Sequence, residues 1–289
     1  VNNGTAPDTA TIIVTPTFAN GGTNCVGTKD TIYVVVNPTA KINAIADKVE
    51  CNGSVVVATM PTSTATGGTV TYTWTNNTTS IGLAASGTGN IPSFTATNTG
   101  STAITSTIIV TPTFTNGGVS CVGTNDTFNI TINPPPIFAA TTDKYVCNAS
   151  TTTAVVFTTA LTGGTAVYHW TNNNTAIGLA ASGTGNVPSF TATNTTTAPI
   201  MGSIVVYMDY TNAGLTCTSL KDTFNYVVNP TAVVNSINDQ VLCNGSTTAA
   251  ISFSTTATGG TLTYNWTNNN SSFGLAASGT GNIASFNAI

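Results

Sequence analysis

A block of 96 residues recurs along this chain, and it constrains the possible fold more than any other feature. Trp74, Trp170 and Trp266 are separated by that interval, and two series of cysteines keep the same spacing. The nonapeptide G-L-A-A-S-G-T-G-N that begins at Gly82 returns twice, letter for letter, at the same interval. Identical blocks at a fixed spacing indicate recent duplication of a whole module. The sequence therefore predicts a tandem array of one small domain.

The composition favours strands and turns. Threonine makes up about a fifth of the chain, arginine is absent, and charged residues amount to 5% with a formal net charge of -4. Disordered chains combine low hydrophobicity with high charge, whereas 40% of these residues are hydrophobic. Threonine, valine and isoleucine are enriched in strands, and glycine and asparagine in turns. We expect a folded, all-β protein.

A strand followed by Asn-Pro marks the end of each repeat. Ile32, Val34 and Val36 alternate with their neighbours at the period of two that puts one strand face on a core. The dipeptide at Asn37 and Pro38 ends this strand, because proline lacks the amide donor that a ladder requires. Taking each Asn-Pro as a boundary predicts the second half of a repeat over 1–38, complete repeats over 39–134 and 135–230, and the first half of a repeat over 231–289.

Each complete repeat contains seven or so short strands separated by turn signals. In the first one, strands are predicted before Cys51, at Val55 to Ala58, at Val70 to Trp74, near Ser93 to Thr97, at Thr107 to Phe114 and at Thr127 to Ile132. This pattern predicts a two-sheet antiparallel β-sandwich, and the apolar alternation puts Trp74, Trp170 and Trp266 in its core.

The length of 289 residues equals three periods and one residue. One interpretation is a window from a longer tandem array. The other is a head-to-tail polymer, in which residues 1–38 of one subunit complete residues 231–289 of the next by strand complementation.

Six cysteines without close pairs or neighbouring histidines indicate disulfides and an oxidising compartment rather than zinc. The candidates are Cys25, Cys51, Cys121, Cys147, Cys217 and Cys243. Pairing Cys51 with Cys121 within a repeat is the favoured arrangement. Pairing Cys51 with Cys217 would link successive repeats, and sequential pairing such as Cys121 with Cys147 is the third possibility.

Catalytic and metal sites are weakly indicated. His169 is the only histidine, so a catalytic triad and a two-histidine metal site are excluded, and we expect it to face solvent on a strand. Repeated acids fit turn and cap roles better than a glycosidase pair or a weak calcium site; they are Asp30, Asp47, Asp126, Asp143, Asp222 and Asp239. We predict no enzyme activity, no cofactor and no bound metal.

The run S-G-T-G-N lacks the following helix and the lysine of a phosphate loop. We predict that Gly87 and Gly89 instead adopt positive φ in a tight turn.

Nucleic acid and anionic membrane surfaces are excluded as partners, because an acidic chain without a basic cluster has nothing to neutralise their negative charge. No apolar run reaches the length of a membrane-spanning helix. The chain opens without the charged start and apolar core of a signal peptide, as expected of a mature or internal piece. We expect an extracellular or cell-surface location.

The repeat resembles a known family. C-N-G-S, Y-T-W-T-N, I-G-L-A-A-S-G-T-G-N-I-P-S-F and D-T-F-N-I-T-I-N-P, in this order, are similar to PKD-like, immunoglobulin-like repeats of large Bacteroidetes surface proteins exported by type IX secretion, including adhesins related to SprB. The resemblance implies a β-sandwich, a surface filament or adhesin, and no catalytic residues. Asp-Thr-aliphatic runs at Thr9 and Thr31 look like the O-glycosylation sites of such glycoproteins.

Two functions therefore stand as hypotheses. The first is a structural and adhesive array whose partners are its own repeats and surface polysaccharide. The second is a spacer or carbohydrate-binding module of a secreted multidomain enzyme.

Overall fold

The structure is a computed structural model that describes residues 1–289. Twenty β-strands account for nearly all of its regular structure, as the composition predicts. The strands are β1 Asp8–Val14, β2 Thr17–Asn20, β3 Thr23–Val26, β4 Asp30–Val36, β5 Lys48–Cys51, β6 Val55–Val56, β7 Thr69–Asn76, β8 Ser86–Thr88, β9 Phe94–Thr95, β10 Ile104–Asn116, β11 Val119–Val122, β12 Asp126–Asn133, β13 Lys144–Cys147, β14 Thr165–Asn172, β15 Ser182–Thr184, β16 Ile200–Asn212, β17 Leu215–Thr218, β18 Asp222–Asn229, β19 Asn265–Thr267 and β20 Ser278–Thr280.

Helical structure is limited to three single turns of 3₁₀ helix, Thr79–Ile81, Thr175–Ile177 and Ser271–Phe273. None of them has the length and hydropathy needed to cross a membrane.

Contacts divide the chain into two compact units. The first comprises residues 1–137, 160–166 and 209–219, and the second comprises residues 138–159, 167–208 and 220–289. The four domains expected from the Asn-Pro boundaries stay a prediction.

A six-stranded sheet forms the centre of the first unit. Its strand order is β5-β12-β10-β7-β8, and β11 forms a hairpin with the end of β10. All of these pairs are antiparallel except β5 with β12, which is parallel. Strands β6 and β9 pair only with each other and form a separate two-stranded sheet. The prediction of an antiparallel sandwich is therefore correct for the fold, although the edge strand that ends at Cys51 runs parallel to its neighbour.

The core of residues 39–134 is closed by side chains from both ends of this segment. Trp74 is 4% exposed and packs in one cluster with Ile81, Leu83 and Ile91 from the first part. Strands β10 and β12 supply the opposing side chains of the same cluster, namely Ile108, Val110, Phe128, Ile130 and Ile132. Neither part of the repeat therefore completes the core alone.

A second six-stranded sheet has the order β13-β18-β16-β14-β15, with β17 paired to β16. Its β13–β18, β14–β15, β16–β17 and β16–β18 ladders repeat those of the first sheet with the partners shifted by 96 residues. Ile108 lies opposite Phe128 in the first sheet, and Ile204 lies opposite Phe224 in the second. Trp170 is 3% exposed and occupies the place of Trp74, so both of these tryptophans are core residues as predicted.

Gly87 corrects one prediction. It lies in β8 directly opposite Trp74, and a Cβ on it would overlap the indole ring of that tryptophan. Gly87 is absent from the residues with positive φ, whereas Gly89 has φ of 72° and its amide donates to the carbonyl of Tyr72 at 2.8 Å. The turn prediction is correct for Gly89 and wrong for Gly87, where glycine is needed because the tryptophan covers it.

The remaining parts of the chain form small sheets. Strands β1 and β4 pair only with each other, and β2 pairs with β3. In residues 231–289, β19 and β20 form the one sheet. Trp266 on β19 is only half-buried, so its predicted core position is not fully enclosed.

Candidate functional site

The feature that distinguishes this fold chemically is a disulfide between Cys51 and Cys217, with the two Cα atoms 5.8 Å apart. Cys51 is the last residue of β5 and lies opposite Asn133 of β12. Cys217 lies in β17, opposite Tyr210 of β16. Both cysteines belong to the first compact unit, although 166 residues separate them along the chain.

This bond overturns the favoured pairing. Cys121 is a free thiol, as are Cys25, Cys147 and Cys243, so neither the bond within a repeat nor the sequential arrangement is present. The reason is topological, because Cys51 lies at the end of an edge strand while Cys121 lies in the β10–β11 hairpin. The second arrangement considered from the sequence, Cys51 with Cys217, is correct.

A pair of asparagines lies near the disulfide. The Asn133 side-chain amide donates to the carbonyl of Asn212 at 3.1 Å, and the Asn212 amide donates to Oδ1 of Asn133 at 3.0 Å. Asn37 and Asn116 form the same kind of contact 96 residues earlier, with the Asn116 amide donating to Oδ1 of Asn37 at 3.0 Å. The Asn of the first two Asn-Pro boundaries, Asn37 and Asn133, therefore binds the hairpin of the following repeat.

A second contact recurs at each boundary. The amide of Thr66 donates to the carbonyl of Thr5 at 2.7 Å. The equivalent bonds, each shifted by 96 residues, join Thr162 to Ser101 and Thr258 to Thr197. Successive sequence repeats thus share a fixed set of polar contacts within the compact units.

Asn98 is a structural residue that sequence reasoning missed. It is 1% exposed, and its side-chain amide donates to the carbonyls of Thr102 and Ile132, both at 2.8 Å. Its Oδ1 accepts the amide of Gly100 at 2.9 Å. Asn194 makes the same bonds to Ala198 and Val228. The A-T-N that ends the first two central runs was the available signal.

Five of the six repeated acidic residues accept backbone amides, and four of them do so from a segment about 80 residues away, which is a longer-range role than the turn and cap roles expected. Asp47 accepts the amide of Asn129 at 2.7 Å, and Asp126 accepts the amide of Ile45 at 2.9 Å. Asp143 accepts the amide of Asn225 at 2.7 Å, and Asp30 accepts the amide of Thr31 at 2.9 Å. The structure places no group of three or more His, Cys, Asp or Glu side chains to hold a metal ion.

Asp222 is the most strongly hydrogen-bonded carboxylate of the set. Its oxygens accept the amide and hydroxyl of Thr141, both at 2.8 Å, and the amide of Thr223 at 2.9 Å. These bonds, chiefly the amide of Thr141, hold the pKa of the Asp222 carboxyl below its usual value.

His169 is partly buried on β14, where it stacks on Tyr207 with ring centroids 4.9 Å apart. The expected solvent-facing position is therefore only partly correct, because the neighbouring strand covers one ring face. Thr9 and Thr31 are exposed on β1 and β4, and their O-glycosylation stays a prediction.

Strands β1 and β4 expose a continuous apolar face. Ile12 is 46% exposed, Val14 is 50% exposed and Phe18 on the adjoining β2 is 69% exposed. Their equivalents in residues 39–134, namely Ile108, Val110 and Phe114, are all 0% exposed. The same side chains are thus core residues in one part of the chain and surface residues in another.

Residues 231–289 contain two open clefts. One of about 310 Å³ is lined by Phe253, Leu262, Tyr264 and Trp266, among others. The second, of about 480 Å³, is lined by residues that include Phe273, Leu275 and Phe286. These are apolar side chains equivalent to core residues of the complete repeats.

No protein-family model matches the chain, and no curated protein matches it either. Several solved structures do match. A three-domain immunoglobulin segment of titin is 10% identical with a TM-score of 0.41, covering 86% of this chain and 88% of that chain. Cadherin domains 3–6 of protocadherin gamma B2 are 11% identical with a TM-score of 0.37, covering 97% of this chain and 75% of that one.

The eight N-terminal immunoglobulin domains of the Down syndrome cell adhesion molecule are 11% identical with a TM-score of 0.34; the match covers 96% of this chain and 42% of that chain. All three matched structures are tandem immunoglobulin or cadherin domains. The ladders and the core make this chain an all-β protein of immunoglobulin-like sandwich repeats.

Proposed function

We propose that this chain is a structural and adhesive part of an extracellular filament or large surface adhesin, and that it performs no catalysis. The domains of the array are those of the Asn-Pro boundaries: 1–38, 39–134, 135–230 and 231–289. Its length would come from repeat number. The work of each domain is to transmit load and to present its outer face.

One observation carries this proposal: the disulfide between Cys51 and Cys217 joins residues of two successive sequence repeats. Disulfides persist in oxidising compartments, which supports a secreted or surface location. A covalent bond across a repeat boundary resists separation of neighbouring domains under load, a property that a stalk or filament needs.

Finer features of the proposal come from the resemblance of the repeats. They are export by type IX secretion in a Bacteroidetes cell, O-glycosylation at Thr9 and Thr31, and surface polysaccharide as a ligand. Thr127, the equivalent of Thr31 in the first complete repeat, is also exposed, so a glycan at this position would not require the core to open.

Labelling of intact cells tests the location. Antibodies raised against the chain are applied to unpermeabilised cells of the source organism and visualised by gold labelling in the electron microscope. We expect label on the cell exterior or on extracellular fibres, and weaker attachment after deletion of the gene. Label confined to the cell interior would refute the proposal. A catalytic domain in the same native polypeptide would favour a spacer instead.

Force spectroscopy tests the mechanical role. When the protein is pulled from residues 1 and 289, the bond shields the loop between Cys51 and Cys217 from extension. With 166 residues of separation, reduction should lengthen the unfolded chain by about 570 Å, at roughly 3.4 Å per residue. A Cys121→Ser variant should behave like the parent. An unchanged contour length after reduction would show that the bond carries no load.

A further inference from the structure

Threonine lines the outer face of the six-stranded sheet in residues 39–134. Every second side chain of β7 lies on this face, and so do alternate side chains of the adjoining β10, while Trp74 and Phe114 point into the core. The side chains on β7 are exposed, and those on β10 are partly exposed. We call this set the threonine face; its members are Thr69, Thr71, Thr73, Thr75, Thr111, Thr113 and Thr115.

The ladders arrange these threonines in rows across the strands. The pairs that lie directly opposite each other are Thr73 with Thr111, Thr71 with Thr113, and Thr69 with Thr115. The rows continue onto β8, where Thr88 lies opposite Thr73 and Ser86 lies opposite Thr75. Neighbouring strands are about 4.8 Å apart, and alternate residues of one strand are about 6.8 Å apart. Hydroxyl and methyl groups therefore repeat at two fixed spacings.

The threonine side chains are stiff, and most of their hydroxyls are free. A β-branched side chain has few χ1 rotamers, so each threonine holds its hydroxyl and its methyl in a fixed direction. The hydroxyl of Thr115 is hydrogen-bonded to that of Ser120 at 2.9 Å. The other hydroxyls of the threonine face have no hydrogen-bond partner in the chain. They are available, in a preorganised array, to an external ligand.

The fold does not require these threonines. In the second six-stranded sheet the counterparts of Thr71, Thr73, Thr111 and Thr113 are Val167, His169, Tyr207 and Asp209. That sheet has the same strand order and an equally buried tryptophan. His169 and Tyr207 stack with their ring centroids 4.9 Å apart, so the same place in the fold accepts two rings. A surface pattern that folding does not need points to a role at the surface.

The chemistry of the threonine face limits its ligand. The face carries no charge, so an ionic ligand finds no opposite charge on it. It also carries no aromatic ring on which a sugar could stack. Small molecules bind in concave sites with a few convergent polar groups, whereas these hydroxyls form an extended array on a sheet. The ligand that matches such an array is an uncharged surface with its own two-dimensional repeat of hydrogen-bonding groups.

We propose that the threonine face of residues 39–134 binds ice. Ice is an uncharged lattice of oxygen atoms that donate and accept hydrogen bonds, and on its prism faces these atoms repeat at two spacings close to those of a β-sheet. The threonine hydroxyls hydrogen-bond to water molecules of the lattice, and the methyl groups pack between them. Because the rotamers are fixed before binding, little side-chain entropy is lost when the face meets the crystal.

Partition into growing ice is the first test. Ice is grown slowly on a cooled probe in a solution of the 289-residue chain and an inert protein of similar size, and both proteins are quantified in the ice and in the liquid. We expect the chain to be enriched in the ice and the inert protein to be excluded. Small ice crystals grown in the presence of the chain should also develop facets. Exclusion of the chain to the same extent as the inert protein would overturn the proposal.

Matched substitutions test the face itself. Thr71→Tyr should lower the ice-bound fraction at least about tenfold, because the ring holds neighbouring groups away from the lattice and van der Waals attraction weakens steeply over a gap of about 1 Å. Val167→Tyr is the control, since it introduces the same ring at the counterpart position of the second sheet, where Val167 is 42% exposed. It should leave ice binding unchanged. Equal effects of the two variants would exclude the threonine face as the binding surface.

A double variant guards against a folding defect. Thr73→His with Thr111→Tyr introduces the ring pair that the second sheet already accommodates as His169 and Tyr207. We expect an unchanged circular dichroism spectrum and thermal midpoint together with loss of partition into ice. Retention of ice binding by this folded variant would refute the assignment.

Binding to crystalline cellulose and chitin is measured for the same variants. If the parent bound these polymers through the threonine face but was excluded from ice, the face would be a polysaccharide site and the proposal would be wrong. This inference goes beyond the proposed function and does not depend on it, since ice binding is measured on the purified chain without reference to cellular location or mechanical load.

Discussion

The hydroxyl of Tyr226 lies in the core of its repeat without a hydrogen-bond partner. The residue is 1% exposed on β18, and burial raises the pKa of its phenol. The equivalent residues are Ile130 and Val34, so the position accepts an apolar side chain. An unpaired buried hydroxyl costs about 1–3 kcal/mol. The repeat containing Tyr226 thus carries a local destabilisation.

We therefore expect Tyr226→Phe to raise the free energy of unfolding by about 1 kcal/mol. The ring is retained, and it packs edge-on against Phe190 with centroids 5.1 Å apart. Urea titration followed by fluorescence measures the change. Tyr145→Phe is the control, because Tyr145 is 70% exposed and should show no effect. A loss of stability in Tyr226→Phe would mean that its hydroxyl does have a partner.

Asp222 makes stability depend on acid pH. Its folded pKa lies below the unfolded value because the Thr141 amide and hydroxyl and the Thr223 amide bind the charged form. A depressed pKa stabilises the fold above the unfolded pKa, near 3.8, and this contribution disappears as pH falls through the lower folded pKa. We expect Asp222→Asn to destabilise the protein at pH 6 and to make little difference well below pH 3.8. Urea midpoints at both pH values measure it, and a pH-independent difference would exclude this linkage.

At the scale of elements, the strand bearing the tryptophan has a different environment in each part of the chain. β7 lies between β10 and β8, and Trp74 is 4% exposed. β19 has β20 as its one ladder neighbour, and Trp266 is half-buried. Nearly identical sequence thus gives a closed core in one place and an open cleft in the other, because the partner strand is present in only one of them.

Trp74→Ala should lower the free energy of unfolding of its repeat by about 3–5 kcal/mol, as expected for a buried tryptophan. Trp266→Ala is the matched variant and should cost less than half as much in the monomeric chain, since less of its surface is buried. Hydrogen exchange of β7 and β19 amides locates each effect. Equal losses in the two variants would contradict the difference in burial.

Strand positions were predictable from the sequence, whereas their partners were not. The alternation of Ile32, Val34 and Val36 correctly predicted a strand, which the structure shows as Asp30–Val36. The parallel pairing of β5 with β12 was not anticipated, because alternation shows which face is buried but not which strand lies beside it. The role of Gly87 was missed for the same reason, since only the ladder brings it opposite Trp74.

At the scale of the whole molecule, the disulfide joins two residues of the first compact unit, Cys51 and Cys217, and closes a loop between positions 166 residues apart along the chain. In the chain-entropy model such a loop stabilises the folded state by about 5 kcal/mol. The bond therefore rivals a small core as a source of stability.

We expect the double variant Cys51→Ser with Cys217→Ser to lower the thermal midpoint of the first unit, with a loss approaching 5 kcal/mol in the chain-entropy model. Differential scanning calorimetry of the oxidised parent and the variant measures the loss. Cys121→Ser is the control and should leave the thermal midpoint unchanged, because Cys121 has a free thiol. A double variant as stable as the parent would show that the bond adds no constraint beyond that of the packed repeats.

The sequence by itself determined the all-β class, the repeat interval, the core positions of Trp74 and Trp170 and most of the strands, because these follow from local alternation, turn residues and duplication. Only the tertiary structure decided that Cys51 binds Cys217, that Asn98 bridges two segments of its repeat, and that the β1–β4 face and the clefts near Trp266 are open. These features depend on which segments meet in space. The periodicity of the sequence does not determine which segments contact each other, because every repeat presents the same residues to several possible partners.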